Sequence, residues 1–188
     1  LAIDFRDEGV PLIRLAGLKS GADILAGCNH LDPLRVQERW AQFRVQQGDV
    51  LLSTSASLGE VAVVPPHGSG AVPYTGIIAF RPSSDAVAPE LIPHLFKTDD
   101  FRAQIEAMGV GSVMRHFGPM HLRRMTLLLP PRWQQQGIVE VLGALDDKIG
   151  ANARVVERAD ETRRLMYQAM LDGAEQPLSS LAEFVNGR

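Results

Sequence analysis

A seven-residue apolar repeat occupies the chain between two groups of helix-breaking residues. Pro130 and Pro131 stand just before it, and Asp172-Gly173 follows it. Its positions are separated alternately by four and three residues, which is the pattern of a coiled-coil seam. The seam consists of Ile138, Leu142, Leu145, Ile149, Asn152, Val156, Ala159, Arg163, Met166 and Met170. The sequence therefore predicts one helix over residues 132–171, about 55 to 60 Å long at about 1.5 Å per residue.

Two positions of this seam are polar, Asn152 and Arg163. A polar residue at such a position weakens the pairing of two helices but fixes its register and orientation. We therefore expect the helix to pair with a second long helix. The alternative is a solvated helix that packs along one face of its own domain.

Composition limits the class of protein. With 188 residues, of which 45% are hydrophobic, the chain can bury a core. The single Cys28 excludes an intrachain disulfide and a multi-cysteine zinc site, which favours a reducing compartment. No apolar run approaches the roughly 20 residues of a membrane-spanning helix. A cytoplasmic protein without membrane association is predicted.

Residues 1–131 contain short apolar runs separated by turn residues such as Gly48-Asp49 and Pro65-Pro66. The runs predict strands over residues 11–15, 43–46, 50–54, 60–64, 76–81 and 125–129. Helices are predicted over residues 89–97 and 99–108, where proline or acidic residues suit a helix start. Because strands outnumber helices and do not alternate regularly with them, we predict a mixed α/β (α+β) domain followed by the long coiled-coil helix.

The sequence carries no recognisable catalytic or cofactor motif. It lacks a phosphate-binding loop, a dinucleotide fingerprint, a nucleophile elbow and a helical zinc motif. The hydroxyl-rich segment 53–59 has no lysine or histidine at a helpful spacing, so it is interpreted as a polar loop between two strands that presents its hydroxyls outward. An unrecognised enzyme site on this loop remains an alternative. No metal or cofactor is predicted.

Several segments, taken in order, resemble the specificity subunit of type I restriction-modification enzymes. They are Gly48-Asp49-Val50-Leu51-Leu52-Ser53, Gly59-Glu60-Val61-Ala62, Gly111-Ser112, Leu127-Leu128-Leu129-Pro130-Pro131, and Gln135 with Ile138 and residues 142–149. Each segment alone is a weak signal, but the ordered set is specific and spans nearly the whole chain. Arg132 and Gln134 depart from the pattern.

The resemblance implies a target-recognition domain over residues 1–131, a spacer and dimerisation helix over 132–172, and a tail over 173–188. In that family, two recognition domains each read half of a split site in double-stranded DNA, and the subunit itself catalyses nothing. Its paired antiparallel helices dock methylation subunits and, where present, a restriction subunit. The alternative reading is a coiled-coil protein-interaction adaptor that does not bind DNA.

The tail, over residues 178–188, resembles the opening of a second recognition domain. Residue 1 resembles a point just after such an opening. This predicts an antiparallel homodimer in which each tail completes the recognition domain of its partner. The alternative is an arbitrary boundary with an unattached tail.

The candidate DNA contacts are hydrogen-bond donors and cations predicted to lie on loops. The set contains Lys19 and Ser20 in the turn after the first strand, Arg35, Arg39 and Arg44 around Trp40, and Ser112, Arg115 and His116. The last three also stand in or near a segment of the resemblance. For Arg39 an ion pair with Glu38 is the alternative, and for Trp40 a place in the core.

The formal net charge of −3 argues against an indiscriminate nucleic-acid binder. Acidic and basic side chains balance over residues 1–133, so the excess negative charge belongs to residues 134–188. For helix pairing, the predicted residues are Ile138, Leu142, Leu145, Ile149, Asn152, Val156 and Met166.

Overall fold

The computed structural model describes residues 5–21, 23–108 and 117–171. Its strands are β1 Phe5–Arg6, β2 Val10–Ile13, β3 Asn29–Leu31, β4 Val50–Ser53, β5 Val61–Val63, β6 Val72–Pro73 and β7 Ile77–Phe80. Its α-helices are α1 Leu15–Ser20, α2 Pro33–Arg39, α3 Ile92–Leu95, α4 Asp99–Met108, α5 Pro119–Leu122 and α6 Arg132–Met170. The predicted fold class, a mixed α/β domain followed by a long helix, is confirmed.

The strands form two small sheets. One has the order β1-β3-β2-β6, in which β2 and β6 are parallel and the other pairs are antiparallel. The other has the order β5-β4-β7 and is antiparallel throughout. In the second sheet Leu51 is opposite Ala62 on one side and Ala79 on the other.

Strand β4 lies between two parts of the core. Leu51 packs into one hydrophobic cluster, whereas Val50 and Leu52 pack into another, since alternate strand residues point to opposite faces. All four residues of β4 are buried. Because both faces of this strand are covered, its sequence is a run of apolar residues and does not alternate with polar ones. In the second cluster the rings of Phe96 and Phe101 stack with their centroids 4.7 Å apart.

Two predicted strands are wrong. At residues 43–46 the chain instead forms a 3₁₀ turn over Ala41–Phe43 and then an irregular segment. The Arg44 N–H donates to the Ala41 carbonyl within the turn, and Val45 exchanges backbone hydrogen bonds with Gly70 and Ala71, which is too short a pairing for a strand. At residues 125–129 the apolar alternation is real, and Met125 and Leu127 pack against the core. No neighbouring strand pairs with this segment among the described residues.

A side chain takes the place of that missing strand. The amide of Gln104 accepts from the Thr126 N–H at 2.8 Å and donates to the Thr126 carbonyl at 2.9 Å. These two bonds satisfy the backbone of an extended residue as a strand ladder would. The pattern of buried residues was therefore predictable, but the partner was not.

The other predicted elements are confirmed with shifted bounds. The first predicted strand ends at Ile13, and the predicted helix over 89–97 is a 3₁₀ turn at Pro89–Leu91 followed by α3. Helix α4 has its predicted bounds, and α6 ends one residue early. Sequence reasoning missed the short elements β1, β3, β6, α1, α2 and α5.

Contacts divide the chain into two compact units, Leu1–Gly150 and Ala151–Arg188, with the division inside α6. The domain boundaries predicted at 131 and 172 stay a prediction. The predicted tail contacts of residues 173–188 lie outside the described residues. Over the described ranges, no helix is both long and apolar enough to cross a membrane. The same ranges contain no group of three or more His, Cys, Asp or Glu residues that could hold a metal ion.

Candidate nucleic-acid interface

Lys19 and Ser20 are the last two residues of helix α1. The prediction that they lie in a loop after the first strand is therefore wrong. The helix ends at Gly21, whose left-handed φ of 66° is the conformation that commonly terminates a helix. Lys19 Nζ donates to Ser57 Oγ at 2.6 Å and lies 4.0 Å from Glu60 Oε1. Ser20 Oγ donates to the Asp23 carbonyl at 2.6 Å and accepts from its N–H at 2.9 Å. The hydroxyl of Ser20 therefore closes a local turn.

The hydroxyl of Ser53 points inward, contrary to the expectation of an outward polar loop. Ser53 is fully buried. Its Oγ donates to the Ser57 carbonyl and accepts from the Glu60 N–H. Ala56, between them, has a left-handed φ of 63°, a conformation unfavourable for alanine. This serine thus holds a tight loop closed, and its hydroxyl is already bonded on both sides.

Arg35 and Arg39 lie on α2, and Arg44 follows the 3₁₀ turn after it. The ion pair expected between Arg39 and Glu38 is instead formed by Arg35, whose Nη1 lies 3.9 Å from Glu38 Oε2. The Arg39 guanidinium is instead 5.4 Å from the centroid of the Trp40 ring. Trp40 packs against a core cluster, in agreement with the alternative of a core role. All three arginines are exposed.

The position of α2 is fixed by its cap. The Asp32 carboxylate accepts from the Leu34 N–H at 2.9 Å and from the Arg35 N–H, and it forms an ion pair with Arg6 at 3.1 Å. The hydrogen bond from Leu34, together with those from Arg35 and Arg6, keeps the pKa of Asp32 below its usual value despite some desolvation. Pro33 at the first helical position suits this start. The cap therefore orients the arginines of α2.

Ser112, Arg115 and His116 lie outside the described residues, and their DNA contacts stay a prediction. Phe117, which follows them in the chain, is buried, and its N–H donates to the Thr54 carbonyl at 3.0 Å. Phe117 is thus bonded to the residue that follows buried Ser53.

A cluster that sequence reasoning missed lies at the edge of the four-stranded sheet. Arg14 Nη1 donates to Asn29 Oδ1 at 2.6 Å, and the Arg14 guanidinium lies 5.5 Å from the centroid of the Tyr74 ring. The available signal was a cation directly after the predicted first strand. Its two partners are distant in sequence, and only the strand order brings them to it.

A buried carboxylate anchors the start of β4. Asp49 Oδ1 and Oδ2 accept from Arg81 Nε and Nη2 at 2.8 and 2.6 Å, and Oδ2 also accepts from the Gln46 N–H at 2.8 Å. Burial raises the pKa of Asp49, but the hydrogen bonds from Arg81 and Gln46 and the charge of Arg81 outweigh it, so the pKa lies below its usual value. The same pairing raises the pKa of Arg81. This pair ties β4 to the residue after β7.

The first turns of α6 are held on the domain by a buried amide. The side chain of Gln135 is 1% exposed. Its Oε1 accepts from the Ala88 N–H at 2.7 Å and from Arg132 Nη1 at 3.1 Å, and its Nε2 donates to the carbonyls of Ala86 and Pro130 at 3.0 and 2.9 Å. Every polar atom of this amide has a partner, so α6 is held in a directional manner at this point.

The predicted seam of α6 divides into two parts. Ile138 and Leu142 pack against a cluster that includes Leu91 and Leu95, as the alternative of a helix along its own domain predicts. The seam residues after Leu142 are exposed: Leu145 is 53% exposed, Ile149 65%, Val156 62%, Met166 60% and Met170 79%, and Asn152, Ala159 and Arg163 are exposed as well. Pairing with a second helix stays a prediction.

Solved structures share this fold. The HsdS subunit from Thermoanaerobacter tengcongensis is similar with a TM-score of 0.57 and 22% sequence identity, over 93% of this chain and 48% of that chain. A chain from a structure on the complex assembly and conformational transition of the type I R-M system is similar with a TM-score of 0.57 and 24% identity, over 93% of this chain and 48% of that chain. The chain thus spans about half the length of the chains it matches. No family model matches it.

Proposed function

We propose that this chain is a non-catalytic DNA-specificity subunit, or half-subunit, of a type I restriction-modification system that acts in the cytoplasm. Residues 1–131 would recognise one half-site in double-stranded DNA. Residues 132–172 would form the spacer that pairs antiparallel with a second copy and carries the methylation subunits and, where present, a restriction subunit. Residues 173–188 would begin a second recognition domain.

The observation that carries this proposal is the fold shared with an HsdS subunit over 93% of the chain. Fold similarity alone does not assign a function, so the ordered sequence segments that resemble the specificity subunits are the second support. These two arguments use different observations, because the first rests on backbone geometry and the second on the identity of residues in the sequence.

The exposed seam of α6 supports the pairing part of the proposal. Leu145, Ile149, Val156 and Met166 recur at heptad spacing and are all more than half exposed. Exposed apolar residues in such a row are typical of a surface that a partner covers. A second copy of the same helix offers the complementary row, which a two-fold axis would bring into register.

The test is to express the chain with the methylation subunits of its own system and to map methylated sequences in the DNA of the host. A split palindromic site supports two copies that each read one half-site. If the chain and the methylation subunits form a stable complex that methylates no defined sequence, the recognition role is wrong. A chain that methylates DNA without partner subunits would instead identify it as an enzyme.

A protein-interaction adaptor without DNA binding is the second candidate, because the exposed row on α6 serves it equally well. The two candidates differ in one measurable property. A DNA-recognition domain binds duplex DNA with an affinity that falls as salt concentration rises, since phosphate contacts release counterions. The adaptor predicts no such affinity for any sequence.

A further inference from the structure

Three neighbouring strands bring three chemically distinct side chains to one edge of the four-stranded sheet. Strands β2 and β6 are parallel, so the residues that follow them, Arg14 and Tyr74, emerge at the same edge. Strand β3 is antiparallel to β2 and starts at this edge with Asn29, which is opposite Leu12. The Tyr74 N–H also donates to the Ile13 carbonyl at 2.9 Å. This hydrogen bond holds the backbone of Tyr74, and with it the aromatic ring, next to the end of β2.

The Arg14 guanidinium is held by neutral groups. An amide oxygen binds it at 2.6 Å and an aromatic ring lies 5.5 Å from it. Three other cations of the domain lie beside carboxylates: Arg81 is 2.6 Å from Asp49, Arg6 is 3.1 Å from Asp32 and Lys19 is 4.0 Å from Glu60. Arg39 also lies near an aromatic ring, that of Trp40, but no hydrogen bond from its guanidinium is found among the described residues. Within the described residues Arg14 forms no ion pair.

This difference separates Arg14 from the three paired cations as a group that can bind a ligand. A guanidinium already paired with a carboxylate attracts an anion less strongly, because the carboxylate offsets its charge and occupies some of its donors. Arg14 has no such carboxylate among the described residues, and it is exposed. One N–H of Nη1 is used by Asn29, whereas a guanidinium has five such donors. The ring and the amide oxygen also restrict its rotation, which reduces the entropy lost on binding.

We propose that Arg14 is a specificity-determining residue that reads a guanine in the half-site, and that Asn29 and Tyr74 are its positioning residues. The inference rests on the proposed function. A planar fork with two donors in a fixed direction matches the O6 and N7 acceptors of guanine in the major groove. A phosphate contact would need charge but not this orientation.

The experiment is the methylated-site map of the complete complex, made with the wild-type chain and with Arg14→Lys. Lysine keeps the charge but cannot form the planar fork. We expect about a tenfold loss of discrimination at one G·C pair of the half-site, with the other positions unchanged. Arg6→Lys is the matched control, since Arg6 lies in the same sheet and pairs with Asp32; its map should equal that of the wild type.

Two outcomes would overturn the inference. One is an unchanged map for Arg14→Lys. The other is an Arg14→Gln chain whose DNA binding weakens equally at all sequences and whose salt slope falls by about one, which identifies a phosphate contact. A wild-type complex that methylates no defined site would reject the proposed function itself, so the two failures are distinguishable.

Asn29→Asp provides an independent test that leaves Arg14 in place. The change is nearly isosteric but replaces the neutral partner with a carboxylate, which would pair with the guanidinium. We expect the same single-position loss as for Arg14→Lys, together with an unfolding temperature no lower than that of the wild type. A stable Asn29→Asp chain with an unaltered site would contradict the positioning role.

Discussion

Similar side chains are buried in the unit that ends at Gly150 and exposed in the unit that begins at Ala151. In the first, the Asp49–Arg81 pair has a carboxylate that is 3% exposed; in the second, the Asp160–Arg163 pair has a carboxylate that is 59% exposed. Ile138 packs against a core cluster, whereas every described residue from 151 onward is exposed.

The difference shows that one helix serves two purposes. Its first turns carry a buried amide and apolar residues that belong to the fold of the domain. The remaining described turns carry the same heptad pattern on exposed residues. The seam pattern therefore shows that apolar residues recur on one face of the helix. It does not show whether that face packs against the same chain or against another one.

The largest expected effect is that of Gln135→Leu. The change removes the partner of the Ala88 N–H and of the Ala86 and Pro130 carbonyls. Because an unsatisfied buried polar group costs about 1–3 kcal/mol, we expect the free energy of unfolding to fall by about 3 kcal/mol in urea denaturation. The control is Gln136→Leu, at an exposed neighbour, with a change within about 0.5 kcal/mol. Equal losses would reject the anchoring role of Gln135.

Asp49→Asn should lower the free energy of unfolding by about 2 kcal/mol at pH 7, a value reduced because Arg81 is half exposed. The folded-state pKa of Asp49 is lowered. Its stabilisation is therefore present above the unfolded-state pKa of about 3.9 and is lost as pH falls through the folded-state pKa. Urea denaturation should show the same difference in free energy of unfolding between the wild type and Asp49→Asn from pH 7 down to about pH 4. Below about pH 4 this difference should shrink.

Asp160→Asn is the matched change in the exposed pair. Its effect on the free energy of unfolding should stay below about 0.5 kcal/mol at pH 7, because exposed ion pairs contribute little. If this variant and Asp49→Asn lost the same free energy, the contrast between the two units would be wrong.

Ile138→Ala and Ile149→Ala remove the same atoms from two seam positions. Ile138 is half-buried against the domain, so its loss should lower the free energy of unfolding by about 1.5 kcal/mol. Ile149 is 65% exposed, so its loss should change unfolding of the dilute chain by less than about 0.5 kcal/mol. Sedimentation at higher concentration should show weaker self-association for Ile149→Ala. Undiminished self-association would contradict the predicted pairing.

Two alanine-to-glycine changes should have small effects of opposite sign. Ala56 has a left-handed φ of 63°, so Ala56→Gly should raise the free energy of unfolding by about 0.5 kcal/mol. Ala159 lies in the exposed part of α6, where Ala159→Gly should lower it by about 0.8 kcal/mol. Thermal unfolding measures both, and a destabilising Ala56→Gly would show that this loop tolerates alanine without strain.

The parts of the fold that were predictable are those with a strong local signal. Helix α6 follows from the two prolines before it and from its seven-residue apolar repeat, and β4 follows from its apolar run. The short elements α1 and α2 were not predicted, because a single turn-ending glycine or a capping aspartate is a weak signal within a few residues. The strand predicted at 125–129 was wrong because its hydrogen-bond partner is the side chain of Gln104.

The candidate site shows the same limit. Sequence reasoning selected cations by their surroundings in the chain, and Lys19 and Arg35 proved to lie near Glu60 and Glu38. Arg14 was missed because its partners, Asn29 and Tyr74, are 15 and 60 residues away in sequence. Strand order alone brings these three together.

The sequence by itself determined the long helix, the mixed class of the domain and the alternation of buried residues, because backbone propensity and apolar periodicity act over a few residues. Only the tertiary structure decided which seam residues the domain covers, which way the Ser53 hydroxyl points and which cation lies between an amide oxygen and an aromatic ring. Those outcomes depend on hydrogen-bond and packing partners from distant segments, and no local pattern specifies a partner.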